Sequence, residues 1–266
     1  MPSQRLLLTG FGPGERSEAN KQIRALGGKF INANEYRADC THIVCKNPSR
    51  SEKFLSGCLE GKWILTPAYL RDSVQNGAWL PEEAYEWSDS TPHVGSPLPL
   101  PNLLNAPKRC RMRVKNRLKL FRDWRVLFLV DDPVRKKVYS KLIECGGGQV
   151  VKTVAITRQG VRFTGLVTHA FYDTTYEHLA SDLKKSGVAC YEPVFIGDCI
   201  LKDNSVKKEE KQLVRVDSTL TGKKRPLRFS SNIIESSKRP KVLAKGQKTK
   251  VAIRGCGFFF YRMSVV

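Results

Sequence analysis

Arg5 to Gly28 reads RLLLTGFGPGERSEANKQIRALGG, and Arg125 to Gly148, 120 positions on, reads RVLFLVDDPVRKKVYSKLIECGGG. Leu6-Leu7-Leu8 and Val126-Leu127-Phe128-Leu129-Val130 are short unbroken apolar runs closed by breaker-rich turns, the pattern of a strand covered on both faces. A helix follows each. In the first copy Ser17 is the expected N-cap, with Ile23 and Leu26 turned inward. In the second, Asp132-Pro133 supplies a cap and a proline at the first helical position, with Val134, Val138 and Leu142 along one face. Both helices end in glycines, Gly27-Gly28 and Gly146-Gly147-Gly148, where a left-handed residue and a tight return to the sheet leave no room for a side chain.

The duplication continues outward. Lys29-Phe30-Ile31 and Gln149-Val150-Val151 predict a second strand in each copy. Thr41-His42-Ile43-Val44 and Leu166-Val167-Thr168-His169 predict a third, with Thr-His pairs 127 positions apart. Trp63-Ile64-Leu65 and Ala189-Cys190-Tyr191 close each sheet. Thr66-Pro67 and Glu192-Pro193 then open last helices that carry Tyr69 with Ser73 and Phe195 with Cys199. Strands alternating with helices in so short a span predict an α/β fold, a small four-stranded parallel sheet flanked by helices, present twice in tandem.

The helix-end Gly-Gly, the Thr-His strand and the aromatic-x-x-x-Ser/Cys of the last helix resemble the BRCT domain, twice over, across roughly residues 3 to 202. The family usually has tryptophan where these helices have Tyr69 and Phe195. Domain limits follow: 3–87 for the first repeat, 88–121 for a proline-rich then basic linker, 122–202 for the second repeat, and 203–266 for a basic tail. Ser51 to Trp87 further resembles the branch of the family that continues into ankyrin repeats and brings the SMC five/six complex to damaged DNA. No such repeats follow here, so the resemblance implies a fragment, a short isoform or a truncated relative.

A peptide phosphate carries about two negative charges and three acceptor oxygens, so a selective pocket needs a hydroxyl, a backbone N–H and a cation meeting at one point. Thr9 follows the first strand and offers the hydroxyl. Gly10 offers an N–H with no Cβ in the way. Lys53 falls in the first turn of the second helix, where ammonium and helix dipole act together, and Ser51 adds a second hydroxyl. Thr9, Gly10 and Lys53 match the pocket positions of BRCT phosphopeptide readers, and Arg50 matches the position that contacts the peptide downstream of the phosphoserine. The second copy ends its first strand in Val130-Asp131-Asp132. A carboxylate there repels phosphate, which leaves that repeat to support the groove.

The 266 residues carry a net charge of +21. Nine Lys/Arg against Asp123 lie between Lys108 and Arg125, and sixteen Lys/Arg against five Asp/Glu lie from Asp203 onward. This field suits nucleic acid, acidic proteins or phosphorylated partners. Pro81 to Pro107 is too proline-rich for a long regular element, and Lys108 to Phe121 predicts a basic helix with Met112, Leu118 and Phe121 against the repeats. Beyond Leu201 apolar periodicity stops and the composition predicts disorder. Within it, Lys223-Lys224-Arg225 and Lys238-Arg239-Pro240-Lys241 have the form of nuclear import signals, and Phe258-Phe259-Phe260-Tyr261 forms an apolar end.

Other chemistries find little support. The eight cysteines include no C-x-x-C pair, which predicts free thiols in a reducing compartment and no metal. Gly10-x-Gly12-x-Gly14 lacks the acidic residue of a dinucleotide loop. His42 and His169 predict core residues bonded to backbone, with no nucleophile-and-base set around them. With no secretory or membrane-spanning run, the expectation is a soluble intracellular chain without cofactor or catalysis. Together these readings predict a nuclear adaptor that reads a phosphoserine or phosphothreonine motif in the DNA damage response. The resemblance implies as partners the SMC five/six subunits or a linking factor, and a phosphorylated ubiquitin ligase of post-replication repair. The alternative is a DNA-binding repair scaffold acting through linker and tail, with non-specific nucleic acid as its ligand.

Overall fold

The computed structural model describes residues 3–91, 101–157, 160–163 and 165–202. The basic tail, its two import-type signals and the apolar carboxyl end lie outside the described residues.

The first repeat runs β1 (Arg5–Thr9), α1 (Pro13–Ala25), β2 (Lys29–Phe30), β3 (His42–Cys45), α2 (Glu52–Glu60), β4 (Trp63–Leu65) and α3 (Ala68–Asn76). Its strands are all parallel in the order β2-β1-β3-β4, with Leu7 opposite Ile43 and Ile43 opposite Ile64. A linker helix α4 (Pro101–Lys115) leads to the second repeat: β5 (Arg125–Leu129), α5 (Pro133–Cys145), β6 (Gln149–Val150), β7 (Thr153–Thr157), β8 (Gly160–Phe163), β9 (His169–Tyr172), α6 (Glu177–Lys185), β10 (Ala189–Tyr191) and α7 (Val194–Leu201). The parallel order is the same, β6-β5-β9-β10, and β7 and β8 form a separate antiparallel ribbon.

Alternation along the central strands divides the apolar residues among three cores. Leu6 and Leu8 face α1 and α3 with Ile23, Tyr69 and Leu70. Leu127 and Leu129 face α6 with Leu179 and Leu183. The other face of both sheets opens into one shared core, where Leu7, Ile43, Phe54 and Cys58 meet Leu104 and Cys110 of the linker helix and Phe121, Phe128, Leu142, Phe171, Ile196 and Ile200 of the second repeat. The two repeats are therefore one packed body, since neither side of this core is covered without the other.

Several expectations need correction. Helix α1 begins at Pro13 with Gly12 as N-cap, because Pro13 pre-sets the helical φ and Glu15 accepts the Gly12 N–H at 2.8 Å. Ser17 is inside the helix. The third strand of the second repeat is His169–Tyr172, later than Leu166 to His169, and Leu166 is exposed. Val134 is exposed rather than part of an inward face. The linker helix starts at Pro101, since proline is tolerated in a first helical turn, and even Pro107 is accommodated with its ring buried. Its inner face is Leu104, Ala106, Pro107 and Cys110; Phe121 is buried after it, whereas Met112 and Leu118 are exposed. The two histidines bond to side chains: His42 to Thr41 and Glu82, at 2.7 and 3.1 Å, and His169 to Thr168 at 2.9 Å.

Candidate functional site: the carboxyl end of β1 and the start of α2

In a parallel sheet the strand ends and the following helix starts lie at one edge, so β1 delivers Thr9 and Gly10 to the same edge at which α2 begins. Gly10 adopts φ +80, a conformation that a side chain would strain, and a Cβ there would lie 3.4 Å from Lys46 Cβ. Ser51 is the N-cap of α2, yet its hydroxyl makes no capping bond; Oγ is buried without a hydrogen-bond partner.

Lys53 is 7 % exposed. Its Nζ donates to the carbonyl of Leu8, the peptide oxygen immediately before Thr9, at 3.0 Å, and to that of Ala33 at 2.6 Å. An ammonium has three donors, so two carbonyls leave one for a further acceptor. Burial, helped by the nearby Arg16 charge, pushes the Lys53 ammonium down to about 8, and the neighbouring Glu52 carboxylate offsets this only in part. That carboxylate is drawn towards the second repeat, 2.8 Å from Lys141 Nζ.

The structure thus brings Thr9, Gly10, Ser51 and Lys53 to one edge, and it adds a cation that the sequence reading missed. Arg16, in the first turns of α1, donates to Asn32 Oδ1 at 3.0 Å and lies over Phe30, so its guanidinium shares the field felt by Lys53. The signal was its place on a helix that starts at Pro13 rather than at Ser17. Arg50 goes elsewhere: Nη2 bonds to Asp198 Oδ1 at 2.6 Å and to the Val194 carbonyl at 3.1 Å, both on α7 of the other repeat. It stands at the seam between repeats, beside Gly197, where any Cβ would strike the guanidinium at 2.6 Å.

The corresponding edge of the second repeat is acidic. Asp132 caps α5 by accepting from the Val134 and Arg135 N–H groups, Asp131 accepts from Tyr176, and Asp173 lies 3.4 Å from Arg135. Helix α6 opens with Glu177. A dianion would meet carboxylates there, with no counterpart of Lys53.

The described residues include no helix long and apolar enough to cross a membrane, and no cluster of His, Cys, Asp or Glu that could hold a metal. Seven cysteines are free thiols, and the eighth, Cys256, lies outside the described residues.

Residues 4–74 match the family model of the BRCA1 C Terminus (BRCT) domain. Among curated proteins, the SMC5-SMC6 complex localization factor protein 1 of Bos taurus is 33% identical over 155 residues, which cover 56% of this chain and 14% of that protein. The chain therefore spans about a seventh of that relative's length. Among solved structures, the S. pombe Brc1 BRCT5-BRCT6 domains superpose with a TM-score of 0.53 at 15% identity, covering 76% of this chain and 94% of that one. Rtt107p, solved in complex with a phosphorylated histone, superposes with a TM-score of 0.51 at 14% identity, covering 77% and 91%. The chain carries a BRCT domain over residues 4–74 and folds as a tandem BRCT module.

Proposed function

We propose that this chain is a phosphopeptide-binding adaptor of the DNA damage response, acting by recognition and not by catalysis. Thr9, Gly10, Ser51 and Lys53 take the phosphate, with Arg16 as a further cation, and the seam at Arg50 takes the peptide downstream of it. The observation that carries this reading is the state of Lys53. A buried ammonium with two carbonyls for partners and a depressed proton affinity is an incompletely compensated charge, and a dianion arriving at the Thr9 edge would complete it. The buried Ser51 hydroxyl at the same helix start is unsatisfied and would gain an acceptor if the phosphate reached it.

The setting rests on resemblance. The curated relative is named for localising the SMC5-SMC6 complex, so the proposed role is to bring that complex, through its subunits or a linking factor, to a phosphorylated repair protein. A post-replication-repair ubiquitin ligase is the proposed ligand, and the nucleus the proposed location, with Lys223 to Arg225 and Lys238 to Lys241 as the import signals.

The test is a titration of fluorescent phosphoserine and phosphothreonine peptides, and their unphosphorylated forms, against wild type, Thr9→Ala and Lys53→Met. A charged hydrogen bond contributes about 1.5–3 kcal/mol, so each variant should weaken the phosphorylated peptide at least tenfold. Equal affinity for all three proteins, or for both forms of the peptide, would refute the pocket.

A further inference from the structure

A second charged surface lies at the other end of α2. Three helices run side by side with their carboxyl ends at one pole. Helix α5 parallels α2, since Lys141 lies 2.8 Å from Glu52 in the first turn of α2 while Cys145 is beside Ser56 and Glu60 near its end. Helix α4 parallels α2 as well: Cys110 and Cys58 lie beside each other in the shared core, and Val114 sits so close to Gly61 that a Cβ there would lie 2.8 Å from Val114 Cβ. Strand β5 also starts at this pole, through the Phe121 N–H that bonds to Gly146 at the end of α5.

The chain leaving α4 covers this pole with Lys115, Arg117, Lys119, Arg122 and Arg125, all at least partly exposed. None of the five is ion-paired to a carboxylate among the described residues, and Asp123 is the one acid among them in sequence. Lys119 reaches the Cys145 carbonyl at 3.5 Å, so part of the charge answers the negative ends of the three helices. Half a charge per helix end does not account for five cations. Arg117 is more telling. With φ 60 it is the one non-glycine residue with positive φ among the described residues, in the left-handed position after a helix that glycine or asparagine normally fills. Its N–H bonds to the Val114 carbonyl at 2.8 Å, so the backbone needs the conformation, but among the described residues the guanidinium has no hydrogen-bond or ion-pair partner. A long charged side chain thus stands at a left-handed backbone position and is exposed to solvent.

From this convergence we infer that the pole formed by the α4–β5 connection is a sequence-independent binding surface for the phosphate backbone of duplex nucleic acid, separate from the phosphopeptide edge. Lysine and arginine point charges without an exposed aromatic platform suit backbone phosphates rather than unstacked bases. The sixteen Lys/Arg against five Asp/Glu that follow from Asp203 add charge of the same sign, suited to a polyanion longer than one peptide.

The experiment measures anisotropy of a labelled random-sequence DNA duplex with the full chain between about 50 and 200 mM NaCl, where each phosphate neutralised contributes about 0.9 to the log–log salt slope. Lys115→Gln, Arg117→Gly, Lys119→Gln and Arg122→Gln combined should lower the slope by about three to four and weaken binding at least tenfold at the lowest salt. Arg117→Gly alone, which relieves the backbone, should lower the slope by about one while leaving Tm unchanged or higher. Thr9→Ala and Lys53→Met should leave duplex binding unchanged, so failure of this surface and failure of the phosphopeptide edge are told apart. The proposal is overturned if wild type does not bind duplex, if the folded combined variant keeps the wild-type slope, or if a polyglutamate peptide of matched charge competes as well as DNA.

Discussion

Arg50 and Asp198, 148 positions apart, meet with Nη2 and Oδ1 separated by 2.6 Å, and the same guanidinium nitrogen bonds to the Val194 carbonyl at the start of α7. This links the loop that introduces the phosphate edge to the last helix of the second repeat. Both side chains are partly exposed, so their coupling is modest. A double-mutant cycle of Arg50→Ala and Asp198→Ala, read by urea denaturation, should give a coupling of about 0.5–1 kcal/mol, reduced in high salt.

Acidity should control the phosphate edge through two groups with opposite signs. Lys53 loses its proton above about pH 8 in the ligand-free chain, and a bound dianion restores it, so binding takes up a proton on the alkaline side. The peptide phosphate itself gains a proton below about pH 6. Affinity measured calorimetrically should therefore peak between those limits and fall about tenfold per unit above the upper one, with heats that depend on buffer ionisation. Lys53→Met should abolish the alkaline limb. Stability without ligand should move the other way. The unfolded chain holds the Lys53 proton more tightly, so this residue opposes folding below about pH 8 and less so as pH rises towards the usual lysine range.

Gly61 joins two restraints at the end of α2: φ of 67 and the Val114 side chain within 2.8 Å of any added Cβ. Gly61→Ala should cost about 1–2 kcal/mol for the left-handed backbone and about 1–3 kcal/mol more for displacing the linker helix. Adding Val114→Ala, which removes the methyl groups at 3.1 and 3.2 Å but keeps the Cβ at 2.8 Å, should return only a fraction of the second part and none of the first, as measured by the shift in the urea midpoint.

Arg111 of the linker helix holds Glu86 through two bonds, of 2.8 and 2.7 Å, while its guanidinium lies 3.6 Å from the centre of the Trp63 ring. Glu86 is 5 % exposed. Arg111→Ala strands a buried carboxylate and should cost about 3 kcal/mol, whereas replacing both residues with apolar ones should cost less than either single truncation. The comparison is made by thermal unfolding of the singles and the double.

The duplicated fold was legible because it is written in local signals. Unbroken apolar runs mark strands buried on both faces, glycine pairs mark the helix ends, and Asp132-Pro133 opens a helix where it should. The β7–β8 ribbon was not, since the sequence from Thr153 to Phe163 has no Asn-Gly or Asp-Gly pair to announce a hairpin. The linker helix was hidden by prolines at 101 and 107, whose missing N–H groups are harmless in a first turn and offset by burial in the middle. At the site, residue types at Thr9, Gly10, Ser51 and Lys53 could be read, but three facts are purely tertiary: that Lys53 reaches Ala33, that Arg16 adds to its field, and that Arg50 is claimed by Asp198. None has a periodic or spacing signature, because each joins residues on different elements.

Helix α4 is wedged into both repeats at once, touching Gly61 through Val114 and holding the Ile200 and Leu201 carbonyls through Arg109 at 3.1 and 2.6 Å. A wedge of this kind works as a caliper. Any ligand gripped by both repeats meets jaws set at a fixed gap, so the number of residues between its two anchors is gauged as strictly as their chemistry, and a one-residue insertion between them would leave one anchor out of reach.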